Sequence, residues 1–551
     1  MEALTGDASE GVAPVTDGGA LVFVGFMGAG KTSSARSVAA ELGVAPLDSD
    51  RELEGALGEP IEAFFDREGE PAFRQREEEA VLAVLERAGG GGAVALGGGA
   101  ISSERVREAL RDHTVVHLEV EPGEAWRRAT GKGRPLARDR GRFDQLHADR
   151  RAVYESVADA VLPPAGRDVA RRALDALLAL RSAREMASKG GTAPLCNPPA
   201  TEGGSAPLFN PQDPRGLRMV WAQAGSGDYP VFVGRGLIRA GFFHPDGTRR
   251  FAVTDANVAR HHRLVAEHTV AVAVGEESKV LASAESVLRR LAQAGAERGD
   301  VLAAVGGGVV GDLTGFCAGV YQRGMRYVQV PTTLVAQVDA AYGGKTGVDL
   351  PEGKNYVGVY HQPSAVLCDP DALATLPPEE LAAGYAEVVK TALIAGGPLW
   401  ARVRQGEAVD EEIILGCIRT KLAVVAADER DADRRQVLNL GHTVGHAIES
   451  ATGYRRYRHG EAVGLGLLAA LRLSDREALR SEVAELLGAQ GLPLTFRGAA
   501  VDEVVAFCDR DKKRERGRVG FVLVHAPGEV TPGHAVSSAD LHAAVEELHA
   551  L

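Results

Sequence analysis

Three groups of residues in this chain have the types and spacing of reaction machinery rather than of packing. The first is Gly25-Phe-Met-Gly28-Ala-Gly30-Lys31-Thr32, preceded by the apolar run Leu21-Val-Phe-Val24 and followed by helix-forming residues. In that strand-loop-helix context the pattern is a complete phosphate-binding loop. Its backbone N–H groups cradle the phosphates of ATP, Lys31 reaches the β and γ groups, and Thr32 holds magnesium. The second group begins where the apolar residues 301–305, read as a strand, meet Gly306, Gly307 and Gly308 and a helix over 309–320. Residues without a Cβ let backbone approach a pyrophosphate, and a helix N-terminus favours its charge; a glycine triplet alone is equally a plain tight turn. Downstream, Arg323, Asp339, Lys345, Lys354 and Asn355 suit a small anionic substrate better than a core. The third group runs from Arg435 through Asn439, His442, His446 and Glu449 to His459-Gly-Glu461. His442 and His446 share a helical face, and His459 could return to the same point from the next segment. Two histidines and a carboxylate make a divalent-metal site with positions left open for substrate. A lone histidine is more often a satisfied core residue, but here several polar groups converge.

The elements that must position these groups alternate in type. Continuous apolar runs such as 21–24 and 114–118 are expected of strands in a parallel sheet with helices on both faces. Apolar residues three and four apart mark helices over 77–88 and 538–548. Leu47-Asp48-Ser49-Asp50 ends a second strand, Ala72-Phe73-Arg74 opens an acidic helix, and residues 94–100 form a third strand with the turn Gly97-Gly98-Gly99. After residue 380 the pattern is helical, with the histidine helix at its centre. The expected fold is α/β: an N-terminal P-loop domain, then an α/β nucleotide-binding part and an all-helical C-terminal part that carries the metal.

The 551 residues are enough for about three to four compact units at ~150 residues each. The expected division is a disordered 1–18, a P-loop domain over 19–182, a flexible Gly/Pro/Ser-rich linker over 183–218, an α/β part over 219–372 and a helical part over 373–551. A net charge of −13 argues against nucleic acid or an anionic membrane as partner, so cations for an anionic substrate must be clustered locally. The five cysteines form no CxxC pair and read as reduced thiols. No stretch has the basic start and apolar run of a signal peptide, and none reaches the ~18 apolar residues of a membrane span, so a cytoplasmic location is expected.

From about Tyr229 onwards the chain resembles 3-dehydroquinate synthase. The resemblance rests on TDANV at 254–258, GEESK at 275–279, GGGVVGD at 306–312, YQRG at 321–324, PTTLVAQVDAAYGGKTGV at 331–348, GKN at 353–355, GYAEVVK at 384–390, DER at 428–430, LNLGHTVGHAIE at 438–449, HGEAV at 459–463 and DKK at 511–513. It implies conversion of 3-deoxy-arabino-heptulosonate 7-phosphate to 3-dehydroquinate, with NAD oxidising and re-reducing the substrate around phosphate loss and ring closure. By that likeness Glu387, His442 and His459 hold zinc or cobalt. Asp255, Asn257, Glu276, Lys279, Gly307, Gly308, Asp312, Thr332, Thr333 and Thr375 line NAD, and Lys345 and Lys354 are counted with them. Substrate falls to Arg323, Asp339, Lys345, Lys354, Asn355, Lys390, Lys421, Arg435, Asn439 and His446, with one lysine of Lys512 and Lys513. His446 is the expected proton shuttle, since imidazole titrates nearest neutrality, and Asp339, Lys345 and Lys390 are counted with the catalytic groups. The family also implies a homodimer through this half, with Arg323 acting across the interface.

Residues 19–182 resemble shikimate kinase through the P-loop, Asp48-x-Asp50, Arg74, the Gly97 turn, Gly133-Arg134-Pro135-Leu136 and Arg150-Arg-Ala-Val-Tyr154. This implies phosphorylation of shikimate by ATP. Asp48 would support the magnesium beside Thr32, Asp50 would orient or deprotonate the shikimate hydroxyl, and Arg74 and Arg150 would grip its carboxylate over Gly97, Gly98 and Gly99. Arg134 would sit in a lid over ATP, where its guanidinium neutralises the transferring phosphoryl group. The segment Leu162-Pro-Pro-Ala-Gly-Arg167 departs from the family's usual adenine loop. Competing readings are another sugar-phosphate cyclase or a metal-dependent polyol dehydrogenase for the second half, a gluconate-type or nucleotide kinase for the first, and a scaffold whose P-loop only senses ATP.

Overall fold

The structure is a computed structural model that describes residues 19–89, 91–130, 138–164, 168–188, 216–240, 249–431, 433–514 and 520–550, with side chains omitted for 186–188, 240 and 509–514. The expectations about Arg134 and its lid, the Arg167 end of the adenine loop and the side chains of Lys512 and Lys513 lie outside the described residues. Two compact units divide between Lys189 and Gly190.

In the first unit, β1 (Leu21–Val24), β2 (Pro46–Asp48), β3 (Ala93–Ala95), β4 (Thr114–Leu118) and β5 (Ala160–Leu162) all run parallel, in the order β2-β3-β1-β4-β5. All residues of β1, β3 and β4 are buried, as uninterrupted apolar strands covered on both sides must be. Because β1 lies between β3 and β4 and β2 pairs with β3, the carboxyl ends of β1, β2 and β3 are neighbours. That edge is where parallel sheets bind ligands, and the P-loop, Asp48 and the Gly97 turn all leave from it. Beneath the loop, Phe26 packs edge-on against Phe143 at 5.0 Å, and Phe143 against Trp126 at 5.1 Å. The acidic helix is longer than its periodicity suggests, Ile61–Ala88, and breaks at Gly69 (φ 81°) just before Pro71. Arg74 therefore sits in the first turns after the break. The helix Leu174–Ser188 carries regular structure into the segment expected as linker.

In the second unit, β6 (Arg218–Ala222) pairs antiparallel with β7 (Tyr229–Val233). Strands β8 (Arg250–Asp255), β9 (His268–Val272), β10 (Val301–Gly306) and β11 (Arg326–Pro331) join β7 through β14 (Ala365–Cys368) in the order β6-β7-β14-β11-β10-β8-β9, parallel from β7 onwards. The helix Gly308–Val320 leaves β10 and packs its Leu313 and Phe316 in one core with Phe251 and Leu302 of the sheet. A separate hairpin, β12 (Lys345–Leu350) and β13 (Gly353–Tyr360), carries the lysines of the GGKTG and GKN motifs. Helices then dominate from Pro378, and one large core joins Val231 and Val366 of the sheet to Val388, Ile418, Val444 and Val463 of the helices. The C-terminal part is not all-helical as expected. Strands β15 (Phe521–Ala526) and β16 (Glu529–His534) form an antiparallel hairpin, since the Phe-Val-Leu-Val run favours strand and Pro527-Gly528, with Gly528 at φ 90°, turns the chain. Among the described residues no helix is long and apolar enough to cross a membrane.

Candidate active sites

The first site is assembled from backbone turns. Gly28 and Gly30 take φ of 85° and 96°, a left-handed conformation that lets the loop wrap around the start of the helix Lys31–Leu42. Lys31 Nζ donates to Gly25 O at 2.9 Å and Phe26 O at 3.2 Å, across the mouth of the loop. Thr32 Oγ1 donates to Asp48 Oδ2 at 2.7 Å, so the two residues expected around magnesium already touch. Asp48 also caps the helix Ser49–Leu57, accepting from the amides of Asp50 and Arg51, and thereby aims Asp50. Ser49 Oγ accepts from Gly97 N–H at 2.8 Å and ties β2 to the glycine turn.

Around that turn the expected substrate residues converge. A Cβ on Gly97 would lie 2.5 Å from Asp50 Oδ1 and one on Gly99 1.9 Å from Arg74 Nη1, so both side chains lie directly against the backbone. Arg150 Nη1 donates to Gly98 O at 3.0 Å, and the Tyr154 hydroxyl donates to the same carbonyl at 2.6 Å. Burial pushes the Tyr154 phenol up, which keeps it a donor. Two contributors carry no role in the sequence reading: Tyr154, one helical turn after Arg150, and Glu77, whose Oε2 is 2.5 Å from Arg74 Nη1. Burial works against the Arg74 charge, but Glu77 and Glu70 outweigh it and hold the guanidinium ionised. The i,i+3 spacing of Arg74 and Glu77 was the available signal.

The second site is a cleft of about 1600 Å³ in the second unit. Asp255, Asn257, Glu276, Lys279, Gly307, Gly308, Asp312, Thr332, Thr333 and Thr375 line it, as do Asp339, Lys345, Lys354, Asn355, Lys390, Lys421, Arg435, Asn439, His442, His446 and His459. Arg323 is not among the lining residues; it sits in the Tyr321–Arg323 turn with φ 67°. The helix Gly308–Val320 opens into the cleft with no side chain capping its first amides, which fits an anion at that point. Beside it Lys279 Nζ is 2.8 Å from Asp312 Oδ2 and 3.6 Å from Glu276 Oε1.

Glu387, in the helix Pro378–Ala395, is completely buried and is not itself a lining residue; it lies behind His442 and His459, which are. Its Oε1 stands 3.7 Å from His442 Nε2 and 3.5 Å from His459 Nε2. Two ligand atoms each ~2.0–2.1 Å from a tetrahedral ion lie roughly 3.3 Å apart, so the three groups fit one zinc-sized ion. The outer nitrogens support this fit: His442 Nδ1 is 3.2 Å from Leu440 O, and His459 Nδ1 is 3.4 Å from Glu449 Oε2. Such outer partners set the tautomer and point each Nε2 inward. Ligand-capable nitrogens of His442, His446 and His459 also lie within 4.8 Å of one another, so His446 belongs to the same cluster. Burial, with Lys390 nearby, lowers the His442 pKa to about 3, whereas at His459 burial is outweighed by Glu387 and Glu449, which raise its pKa to about 9, so a metal ion binding here would have to displace the His459 proton. Among the described residues neither Glu387 oxygen has a well-aligned hydrogen-bond donor, although Lys390 Nζ lies 2.5 Å from Oε2.

The cations of the cleft floor are held by carboxylates. Lys421 Nζ is 2.7 Å and Lys390 Nζ 3.7 Å from Asp339 Oδ1, which the π-helical turn Ala336–Ala340 presents. Burial disfavours the Lys390 charge, yet Asp339 and Glu387 outweigh it and keep the ammonium ionised. Lys354 Nζ is 3.0 Å from Glu449 Oε1, and Lys345 pairs with Asp431. Arg435 instead donates to the carbonyls of Glu429 and Gly343. Glu449 carries no role in the sequence reading, although it sits one turn after His446 in the same motif.

Residues 269–383 match the family profile "3-dehydroquinate synthase N-terminal", residues 384–514 "3-dehydroquinate synthase C-terminal", and residues 27–179 "Shikimate kinase". A 3-dehydroquinate synthase of Caulobacter vibrioides is 40% identical over 367 residues, covering 60% of this chain and 99% of that protein. Among solved structures, 2-deoxy-scyllo-inosose synthase with carbaglucose-6-phosphate, NAD+ and Co2+ matches with a TM-score of 0.54 at 24% identity, over 60% of this chain and 99% of that one. ValA, the 2-epi-5-epi-valiolone synthase of Streptomyces hygroscopicus subsp. jinggangensis with NAD+ and Zn2+ bound, matches at 0.50 and 26%, over 55% and 91%.

Proposed function

Since the chain belongs to the 3-dehydroquinate synthase family and carries a shikimate kinase region ahead of it, we propose that it catalyses two steps of aromatic amino-acid precursor synthesis. The first unit phosphorylates shikimate with ATP, and the second converts 3-deoxy-D-arabino-heptulosonate 7-phosphate to 3-dehydroquinate with release of phosphate. The observation that carries the second reading is the buried Glu387 set between two inward-facing imidazoles that line the same cleft as the uncapped N-terminus of the helix Gly308–Val320. The 40% identity to a 3-dehydroquinate synthase, against 24% and 26% to the two other cyclases, favours this substrate over theirs.

In the kinase, Lys31 and the P-loop amides hold the phosphates, Thr32 and Asp48 hold magnesium, and Asp50 orients the attacking hydroxyl. Arg74 and Arg150 hold the carboxylate against the glycine turn, with Glu77 and Tyr154 steadying them. Gly99→Ala is expected to displace the Arg74 guanidinium, which is the flexible partner in that contact. Loss of one charged hydrogen bond, about 1.5–3 kcal/mol, raises the KM for shikimate ~10–100-fold and leaves the KM for ATP unchanged; initial-rate kinetics on both substrates decide it.

In the synthase, Glu387, His442 and His459 hold zinc or cobalt, which when bound polarises the substrate hydroxyl to be oxidised. Gly307, Gly308, Glu276 and Lys279 would hold NAD, which would supply a reversible hydride acceptor there. Lys345, Lys390, Lys421 and Arg435 hold the carboxylate and phosphate, and Asp339 keeps Lys390 and Lys421 in register. His446, within 4.8 Å of the other two histidines, moves the proton of the oxidised hydroxyl. Its replacement by alanine is expected to lower kcat ~10²–10⁴-fold, the range of a general base, with NAD affinity within twofold of the parent; equal loss of both would refute the assignment.

The protein acts as a homodimer through the synthase half, with Arg323 serving the partner's cleft, which accounts for its absence from the cleft of its own chain. A cytoplasmic site fits both substrates. The deciding experiment supplies the whole chain with each substrate, with and without a chelator. Phosphate should appear from the heptulosonate without net NADH and stop on chelation of the divalent metal. Steady NADH from a polyol would support a dehydrogenase instead.

A further inference from the structure

We propose that Arg455 and Arg456, on the loop between the two metal-site helices, form a cationic rim that draws the anionic sugar phosphate into the cleft. This rests on the synthase reading and assigns the loop a role beyond it.

Both arginines line the cleft, both are exposed, and neither forms an ion pair with any described residue. That sets them apart from the lysines around them, and their exposure sets them apart from Arg435, which is buried against the carbonyls of Glu429 and Gly343. Lys279, Lys345, Lys354, Lys390 and Lys421 each face a carboxylate, and the neighbouring Arg458 is shared among Glu379, Glu380 and Glu461. Those pairs hold geometry, but each cancels most of its own field beyond a few ångströms. A chain of net charge −13 repels a phosphate-bearing acid at long range. Uncompensated guanidinium groups at the opening reverse that sign locally, within the Debye length of about 8–10 Å at physiological salt.

The rim is built, not a loose tail. Tyr454, at φ 57°, turns the chain at the end of the helix His442–Ala451; its amide donates to Glu449 O at 2.8 Å and its hydroxyl lies 2.7 Å from Ser450 Oγ. The Tyr454 ring sits 4.8 Å from Lys354 Nζ, which fastens the loop to the cleft floor. On the other side the Tyr457 hydroxyl accepts from Arg497 N–H at 2.7 Å. Two fixed points thus hold Arg455 and Arg456, both exposed and both lining the cleft, on the loop that leads from the helix of His442 and His446 to that of His459.

The test compares the double variant Arg455→Ala/Arg456→Ala, the charge-keeping Arg455→Lys/Arg456→Lys and the parent in the full chain, at saturating NAD and metal, from low to high salt. At low salt kcat/KM for the heptulosonate phosphate should fall ~10-fold in the alanine variant, the low end of steering effects, while the lysine variant keeps most of the parent value. The gap should close at high salt, with kcat and the dissociation constant of NAD within twofold throughout. A salt-independent loss, a fall in kcat, a weakened NAD or a lysine variant as poor as alanine would overturn the proposal. A parent that fails to release phosphate from this substrate would refute the synthase reading itself, and a parent that works with an alanine variant equal to it would refute only the rim.

Discussion

Replacing Glu387 with alanine is expected to abolish phosphate release from the heptulosonate while shikimate phosphorylation continues at the parent rate. The carboxylate is fully buried, and it stands within 3.7 Å of both inward imidazole nitrogens and 2.5 Å of Lys390 Nζ. Its removal takes one of three proposed donors from the ion and leaves Lys390 buried against a diminished counter-charge. Losing an outer partner of a metal ligand costs ~10–100-fold in affinity, so losing the ligand should weaken metal binding by more than ~100-fold. Breaking a buried pair also costs about 3–5 kcal/mol of stability. The shape-keeping Glu387→Gln separates the two effects, since it keeps the volume and loses the charge. Metal titration by calorimetry, with circular dichroism to confirm folding, gives the readout. A folded Gln variant that binds zinc as tightly as the parent would remove Glu387 from the metal site.

Lys31→Ala carries the second large effect. The ammonium lies over the P-loop carbonyls of Gly25 and Phe26, where the terminal phosphates must arrive. Deleting a preorganised group aimed at developing charge costs ~10²–10³-fold in kcat, and shikimate phosphorylation should fall at least that far. Dehydroquinate formation should be unchanged with or without ATP. The outcome discriminates between readings, because a P-loop that merely senses ATP predicts a synthase rate that shifts with the variant and no kinase activity to lose.

The local motifs were legible because their chemistry is encoded at short range. Gly28, Gly30, Lys31 and Thr32 need only a strand before them and a helix after them, and backbone geometry supplies the rest. The spacing of His442 and His446 fixes a shared face for the same reason. What escaped was of two kinds. The hairpin of β15 and β16 was hidden by the helices around it, since four apolar residues in a row carry no decisive period. Glu77, Tyr154 and Glu449 lay within quoted or adjacent stretches, but a carboxylate or phenol on a helix has no visible role until its partner is located.

The order of residues along the chain was sufficient to establish two phosphate-handling units, the element types that carry them and the families they belong to, because each motif is a contiguous pattern of backbone freedom and charge. Folding alone decided that Oε1 of Glu387 faces His442 and His459 from a helix more than fifty residues upstream, that Asp339 is shared by Lys390 and Lys421, and that Arg455 and Arg456 line the cleft with no ion-pair partner among the described residues. Electrostatic energy depends on separation in space and on what else fills the surroundings. Neither quantity is written in the sequence intervals between those residues.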